Sequence, residues 1–365
     1  MGSIRLFLAI AVLISHTDVC DIKIIPGHVA VQAFFIISGF YMALILNQKY
    51  GERSVFLYYS NRFLRLFPTY LIVLFMSFVA LWVSDIGIFT RADKFKAIFT
   101  QNMFVTVSYL WTNIAVLGQE ILFLLGIDPE DYSFYWALGG MASAKAWHQT
   151  LVPQAWSLSM EFHFYLIAPF ILCRSLYWLS FFFILSLALR LFIISAGPEY
   201  DLLARRCFPA ELCLFLVGAF SYSLFTKIKD STSKYSLGLT SWAALLVVLT
   251  CYNKLEKGYA LTILTFTTFV TIPFVFNLTK DKKVDQFLGN ISYPIYIVHF
   301  LIIAMVREYL EEYSFWFLLM LVLCVSTMLY CVVDAPINRW RQRRITGAVI
   351  HSKVLPNEVN VCHFL

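Results

Sequence analysis

Residues 176–196 read LYWLSFFFILSLALRLFIISA and contain a single charged side chain, that of Arg190. The hydrocarbon core of a bilayer is about 30 Å thick, so a helix needs about 20 mainly apolar residues to cross it. A helix that is apolar on every face is buried in a large core or in a membrane. This stretch therefore predicts a membrane-spanning helix.

Similar stretches recur along the 365 residues of the chain. Ten of them can be distinguished, at residues 4–19, 28–46, 66–84, 155–173, 176–196, 207–225, 236–252, 259–278, 291–307 and 314–333. They predict an all-α fold, a polytopic membrane helical bundle of about ten transmembrane helices. Residues 85–154 form a long aromatic loop, in which the stretch 97–125 is a candidate for a re-entrant or interfacial helix.

The composition excludes other classes of protein. Hydrophobic residues make up 60% of the chain and charged residues 14%, whereas soluble domains have about 45–50% and about 25%. A soluble globular enzyme is therefore excluded. The net charge of +6 is not organised as a basic cluster with interleaved aromatic residues, so no nucleic-acid partner is expected. The eight cysteines contain no CxxC pair, and no metal site is expected.

The distribution of lysine and arginine predicts the orientation of the bundle. With the N-terminus inside, seventeen of the 28 basic residues fall on the inner side and ten on the outer side. Because cytoplasmic loops carry the excess of basic residues, both termini are expected in the cytoplasm. Residues 1–345 are expected to form one integral membrane domain, and residues 346–365 a short cytoplasmic tail.

Ionisable residues inside the spans are candidates for a functional site, because charge near the bilayer centre is costly. His16 follows Arg5 by eleven residues, or about 16 Å of helix, and Glu161 lies about 9 Å into its span from the outer side. At similar depth, the carboxylate could orient the imidazole as a general base. A buried hydrogen-bonded network without catalytic function would explain the same two residues.

Other buried polar residues allow structural explanations. Arg190 and Glu211 are expected to form an ion pair, with each other or with Arg206. His163 and His299 are interpreted as core histidines whose ring nitrogens are satisfied.

Two arginines stand at the inner start of the third stretch. Arg62 and Arg65 are three residues apart, so they share one face of a helix. Two guanidinium groups on one face can bind a phosphate or pyrophosphate. They could equally anchor the helix at the inner membrane surface, as basic residues commonly do.

Six motifs stand out along the chain: Arg5 with His16 eleven residues later, FFIISGF at 34–40, NRFLRLFP at 61–68, WSLSMEFHFY at 156–165, LGNISYPIYIVH at 288–299, and DAP at 334–336. These six motifs resemble those of the acyltransferase-3 family of integral membrane acyltransferases. They occur in the family's order over about 330 residues. Asp334 stands where many members have glutamate, a departure from the family pattern.

The resemblance implies a fold and an activity. Family members move an acyl group, usually acetyl, from cytoplasmic acyl-CoA to a hydroxyl of an extracytoplasmic or lipid-linked acceptor, often a bacterial surface glycan. His16 would then be the leading catalytic residue, with Glu161 as its partner. The candidates for binding the CoA phosphates are Arg5, Arg62 and Arg65, and those lining or supporting the pocket are Ser38, Trp156 and Tyr165.

The expected partners follow from the same resemblance. They are acetyl-CoA or another acyl-CoA as co-substrate, a glycan or glycolipid acceptor, and membrane lipid, with no permanently bound cofactor. The expected location is a bacterial inner membrane, and the oligomeric state stays open. A permease or flippase for a glycolipid or small solute is the alternative function. The outer aromatic residues could stack on sugar rings or form an interfacial belt; they are Tyr132, Tyr135, Trp136 and Trp147.

Overall fold

A computed structural model describes residues 1–22, 24–48, 55–138, 145–228 and 234–354. Its helices, in chain order, are α1 (Gly2–Ser15), α2 (Gly27–Gln48), α3 (Val55–Ser84), α4 (Ala92–Gln101), α5 (Met103–Ile114), α6 (Trp156–Leu172), α7 (Leu176–Ser195), α8 (Asp201–Arg206), α9 (Phe208–Ile228), α10 (Lys234–Cys251), α11 (Lys257–Thr279), α12 (Lys283–Tyr309), α13 (Phe315–Leu329) and α14 (Ala335–Val354). Short 3₁₀ segments connect several of them, and one two-stranded sheet is present.

Nine helices within the described ranges are long and apolar enough to cross a membrane. They are α2, α3, α6, α7, α9, α10, α11, α12, and α13 continued into α14, and they coincide with nine of the ten predicted stretches. The ninth span continues from α13 into α14 through a π-helical turn, Tyr330–Asp334. The prediction of an all-α polytopic bundle is therefore confirmed.

The remaining predicted stretch, residues 4–19, forms a shorter helix than expected. α1 contains 14 residues, about 21 Å of helix, which is less than the thickness of a bilayer core. The helix ends at Ser15, and the ring of His16 turns back so that its Nδ1 donates to the carbonyl oxygen of Val12 at 2.8 Å. His16 consequently lies at the end of α1 rather than within a span.

The long aromatic loop is partly structured. α5 lies inside the stretch where a helix was expected, and its Phe104 and Trp111 are mostly exposed, as in a helix that contacts lipid. After a 3₁₀ segment, strand β1 (Leu125–Ile127) pairs antiparallel with β2 (Phe134–Trp136). Phe89 of the same loop contacts Phe300, whose ring also contacts that of His16 just after the end of α1.

Two glycine crossings bring helices into backbone contact. A Cβ at Gly39 of α2 would collide with the carbonyl oxygen of Phe215, and a Cβ at Gly218 of α9 with that of Ile36. α1 and α12 cross in the same way at Gly2 and Gly289. Small residues permit this close approach, which is common between membrane helices. The crossings fix Ser38, next to Gly39, and the start of α1.

The last part of the chain extends the bundle. The backbone of α14 continues past residue 345 to Val354, while residues 355–365 lie outside the described residues. The boundary between a membrane domain and a short tail stays a prediction.

Candidate active site

A cavity of about 990 Å³ opens at the end of the bundle where α1 and α12 begin. It is lined by residues of α1, α2, α3, α6, α12 and α14, among others. Its basic side chains are Arg5, Arg62, Arg65, Lys280, Arg339, Arg341 and Arg343, and its acidic side chains are Glu161 and Asp285. We call it the basic cavity. Its excess of positive charge suits an anionic ligand.

The three arginines predicted from the sequence come together here. Arg5 projects from α1, while Arg62 and Arg65 project from the same face of α3. Arg62 is buried, its guanidinium lies 5.9 Å from the ring centre of Tyr165, and its Nε has no hydrogen-bond partner among the described residues. A buried guanidinium N–H without an acceptor is costly, so this nitrogen is suited to a ligand oxygen.

Glu161 holds a hydrogen-bonded group deep in the same cavity. Its Oε1 accepts from the hydroxyl of Ser38 at 2.7 Å and from the hydroxyl of Tyr165. Glu161 and Tyr165 are four residues apart on α6 and therefore share a face, and Ser38 of α2 faces them across the cavity. Ser38 and Tyr165 thus lie where the sequence predicted a pocket.

Trp156 does not line the basic cavity in the described structure. It begins α6, and the guanidinium of Arg206 lies 3.4 Å from its ring centre. The ring of Phe35 meets that of Trp156 edge to face at 6.3 Å, and Phe35 does line the cavity. Trp156 thus packs behind the ring of Phe35 and supports the cavity wall without lining it.

His16 lies outside the basic cavity, at the opposite end of α1. Its ring centre is 4.5 Å from that of Phe300 and 5.4 Å from that of His299. Because a carbonyl oxygen only accepts, the bond to Val12 means that the His16 Nδ1 carries the proton. The Nε2 of neutral His16 then holds the lone pair that a general base needs.

The expected pairing of Glu161 with His16 is not formed. No hydrogen bond or ion pair joins these two side chains within the described ranges, and their partners differ. Tyr296 of α12 lines the cavity, its ring centre is 6.0 Å from that of His299, and His299 in turn contacts His16. The sequence placed His16 and Glu161 at similar depth in the membrane. In the structure α1 ends before His16, and the rings of Tyr296 and His299 of α12 lie between the two residues.

Two of the other polar residues expected in the interior of the bundle, Arg190 and His163, have identified partners. Arg190 donates to Glu211 at 2.5 Å, and Gln32 donates to the same oxygen at 2.8 Å, so the predicted ion pair forms within this pair rather than with Arg206. The Nδ1 of His163 donates to the carbonyl oxygen of Ser159 at 3.0 Å and lies 3.6 Å from the carboxylate of Glu120, so this nitrogen is satisfied, although the side chain is only half-buried.

Asp334 connects two elements of the bundle. Asp334 accepts from the hydroxyl of Thr69 at 2.5 Å, which joins the π-helical turn to α3.

No group of three or more His, Cys, Asp or Glu side chains that could hold a metal ion is found in the described part of the chain.

Sequence reasoning missed two parts of this site. Arg339, Arg341 and Arg343 were counted only as inner-surface charge, although all three line the cavity. Tyr296 was also missed, although it stands inside the motif at 288–299, three residues before His299. The three-residue spacing of Tyr296 and His299, which puts both on one face of a helix, could have indicated this position.

Comparison with known proteins identifies the family. The acyltransferase-3 family model, described as an acyltransferase domain, matches residues 3–333. A Staphylococcus aureus (strain COL) protein named "Putative O-acetyltransferase SACOL0978" is 23% identical over an alignment of 380 positions, gaps included, that covers 93% of this chain and 57% of that protein. The O-acetyltransferase OatA of S. aureus strain NCTC 8325 / PS 47 is 22% identical over an alignment of 375 positions, with the same coverage of both chains.

The chain spans somewhat more than half the length of these curated relatives. No solved structure matches it. The family model nevertheless covers all nine long helices except the end of the last, together with both ends of the bundle described above. This chain therefore belongs to the acyltransferase-3 family of integral membrane acyltransferases.

Proposed function

We propose that this protein is a membrane O-acetyltransferase that moves an acetyl group from acetyl-CoA to a hydroxyl of an extracytoplasmic or lipid-linked glycan. The observation that carries the proposal is the basic cavity, in which seven cationic side chains surround two carboxylates. The names of the relatives, which are O-acetyltransferases, support the choice of acyl group and of a hydroxyl acceptor.

The basic cavity suits the donor. Acyl-CoA carries phosphate groups at one end and a thin thioester arm at the other. Arg62 and Arg65 share a helical face and can bind phosphate oxygens in pairs. The thioester arm would extend toward the deep end, where Ser38, Tyr165 and Glu161 are hydrogen-bonded together. Glu161 then acts as a positioning residue rather than as the partner of His16.

The reaction transfers the acetyl group from the thioester sulfur of the donor to the hydroxyl oxygen of the acceptor. The acceptor hydroxyl gives its proton to the His16 Nε2, and its oxygen attacks the thioester carbonyl carbon. The new C–O bond forms, the C–S bond breaks, and the CoA thiolate takes the proton back from His16. A route through an acyl-His16 intermediate uses the same atoms in two steps. An acylated protein found after exposure to donor alone would favour the second route.

The same proposal places both termini in the cytoplasm of a bacterium with the basic cavity facing inward. The chain then sits in the inner membrane, His16 lies near the outer face, and the two substrates approach from opposite sides. Labelling with a membrane-impermeant maleimide tests this orientation. Cysteine substituted for Glu311, between α12 and α13, is expected to react from outside intact cells. Cysteine substituted for Asp281, between α11 and α12, is expected to react only after permeabilisation.

The enzymatic test measures release of free CoA from acetyl-CoA by the purified protein in lipid, with a glycan-containing membrane extract as acceptor. Wild-type protein is expected to release CoA and acetylate the extract, and His16→Ala is expected to do neither while accumulating normally in the membrane. Full activity of His16→Ala would remove His16 from the reaction. Wild-type protein without activity but with solute uptake would favour a permease.

A further inference from the structure

His299 is a fully buried histidine that the reaction above does not use. It lies on α12 with 1% of its surface exposed, between the rings of His16 and Tyr296. Its Nδ1 lies 2.7 Å from the carbonyl oxygen of Tyr296, three residues earlier. Since a carbonyl oxygen only accepts, that nitrogen carries the proton.

The other ring nitrogen of His299 is left as an acceptor without a donor. The Nε2 of His299 is buried and has no hydrogen-bond partner among the described residues. An unsatisfied buried acceptor costs about 1–3 kcal/mol, and such an atom in a folded protein calls for an explanation. A purely packed side chain at this position would not need a ring nitrogen there.

His16 and His299 present the same tautomer to each other. Both Nδ1 atoms donate to a carbonyl oxygen of their own helix, so both Nε2 atoms hold lone pairs. Two acceptors cannot bond to each other, but one added proton can join them. Imidazole rings joined edge to edge by such a bond have centres about 5 Å apart, given a donor–acceptor distance near 3 Å. The observed ring centres are 5.4 Å apart with a tilt of 31°, so the two rings are neighbours, and no hydrogen bond joins their Nε2 atoms in the described structure, as expected while both are acceptors.

The helices that carry the two rings are joined on both sides of them. Arg307 of α12 donates to Asp18 at 2.7 Å beyond the histidines, and Gly2 crosses Gly289 before them. The ring of Phe300 stacks on that of His299 at 4.6 Å and touches that of His16 at 4.5 Å. The separation of the two imidazoles is thus set by the α1–α12 contact.

We propose that His299 is a second histidine of the proton-transfer site. It accepts a hydrogen bond from the Nε2–H that His16 gains when it takes the proton of the acceptor hydroxyl, and it releases that bond when His16 passes the proton to the CoA thiolate. No proton is left on His299 at the end of the cycle. His299 acts through His16 and is therefore a positioning residue. The inference rests on the proposed function.

Two substitutions separate this role from packing. His299→Phe keeps a ring of similar shape but removes the acceptor. His299→Gln keeps an amide oxygen near the position of the Nε2. His148→Phe is the matched control, because His148 also stacks on an aromatic ring, that of Phe89 at 5.3 Å, and is not among the described residues that contact the His16 ring. Kinetic constants are measured at saturating acceptor, together with the amount of protein in the membrane.

We expect His299→Phe to lower kcat about 100-fold, a typical loss for one proton-transfer group, with the KM for acetyl-CoA unchanged. His299→Gln is expected to recover at least a tenth of the wild-type kcat, and His148→Phe to match the wild type. Wild-type kcat in His299→Phe, or equal kcat in the Phe and Gln variants, would overturn the inference. If His299→Phe does not accumulate, His299→Leu, which also lacks the acceptor, takes its place, and a wild-type kcat in that variant would overturn the inference. An inactive wild type would contradict the proposed function itself.

Discussion

The hydroxyl of Tyr296 lies 2.6 Å from the hydroxyl of Ser157, and this contact closes the deep end of the basic cavity. The same Tyr296 hydroxyl also donates to the carbonyl oxygen of Gln154 at 3.0 Å. Beyond the Tyr296 ring lie His299 and then His16. A thioester that reaches His16 from the cavity must therefore pass this tyrosine.

Replacing Tyr296 tests whether it separates the two substrates. In Tyr296→Phe both hydrogen bonds of the hydroxyl are lost, so water should enter from the side of His16 and hydrolyse the donor. We expect CoA release without acceptor to rise severalfold relative to release with acceptor. Ser157→Ala leaves the bond to Gln154 in place, so its ratio should stay closer to the wild type. Equal ratios in wild type and Tyr296→Phe would show that the tyrosine is no barrier.

Removing an arginine from the basic cavity should weaken donor binding. A charged hydrogen bond contributes about 1.5–3 kcal/mol, so Arg65→Ala is expected to raise the KM for acetyl-CoA at least about tenfold, with a smaller change in kcat. Arg174, exposed at the turn between α6 and α7, provides the control, and Arg174→Ala should leave the KM unchanged. An unchanged KM in Arg65→Ala would return Arg65 to the role of a membrane anchor.

The backbone contact of α2 with α9 should make Gly39 sensitive to a single methyl group. Gly39→Ala places its Cβ against the backbone of Phe215, which cannot move aside by rotating a side chain. Overpacking of this kind costs about 1–3 kcal/mol, so the detergent-solubilised protein should unfold at a lower temperature. Gly258→Ala is the control, because no atom lies within 4 Å of its added Cβ. Equal unfolding temperatures for the two variants would contradict the crossing.

The buried ion pair should be more costly to break than to remove. Arg190→Met leaves the carboxylate of Glu211 buried without its cation, a loss of about 3–5 kcal/mol for such pairs. The double variant Arg190→Met with Glu211→Gln should recover much of that loss, since no charge remains. Thermal unfolding of both variants provides the measurement. A double variant less stable than Arg190→Met would show that the charges stabilise the fold by themselves.

The long aromatic loop, residues 85–154, should respond to pH through His148. Burial lowers the pKa of His148 below its usual 6.5, with a further contribution from Lys145. The folded loop therefore favours neutral His148, and its stabilising contribution is lost as the pH falls below about 6.5 through the lower folded-state pKa. Trp147 meets His148 at 4.3 Å, so its fluorescence should report the change. His148→Gln should remove this pH dependence, and a persisting transition would assign it to another group.

The sequence predicted the bundle more accurately than the site. Apolar stretches such as 176–196 are determined by bilayer thickness alone, which is why nine of them reappear as long helices. Arg5, Arg62 and Arg65 could be grouped because they lie at the same end of their helices. The contact of His16 with His299 could not be predicted, because it depends on where α1 ends and on how α12 packs against it.

The Gly39–Gly218 crossing also limits which large motions the protein can make. Transporters with alternating access move one group of helices against another around the substrate. Here α2 and α9 touch backbone to backbone, so neither can slide along the other without a collision. Because α2 also carries Ser38, the two helices should move together as one rigid unit that includes one wall of the cavity. Substrate entry then depends on helices outside this pair, which favours a fixed reaction chamber over a rocking carrier.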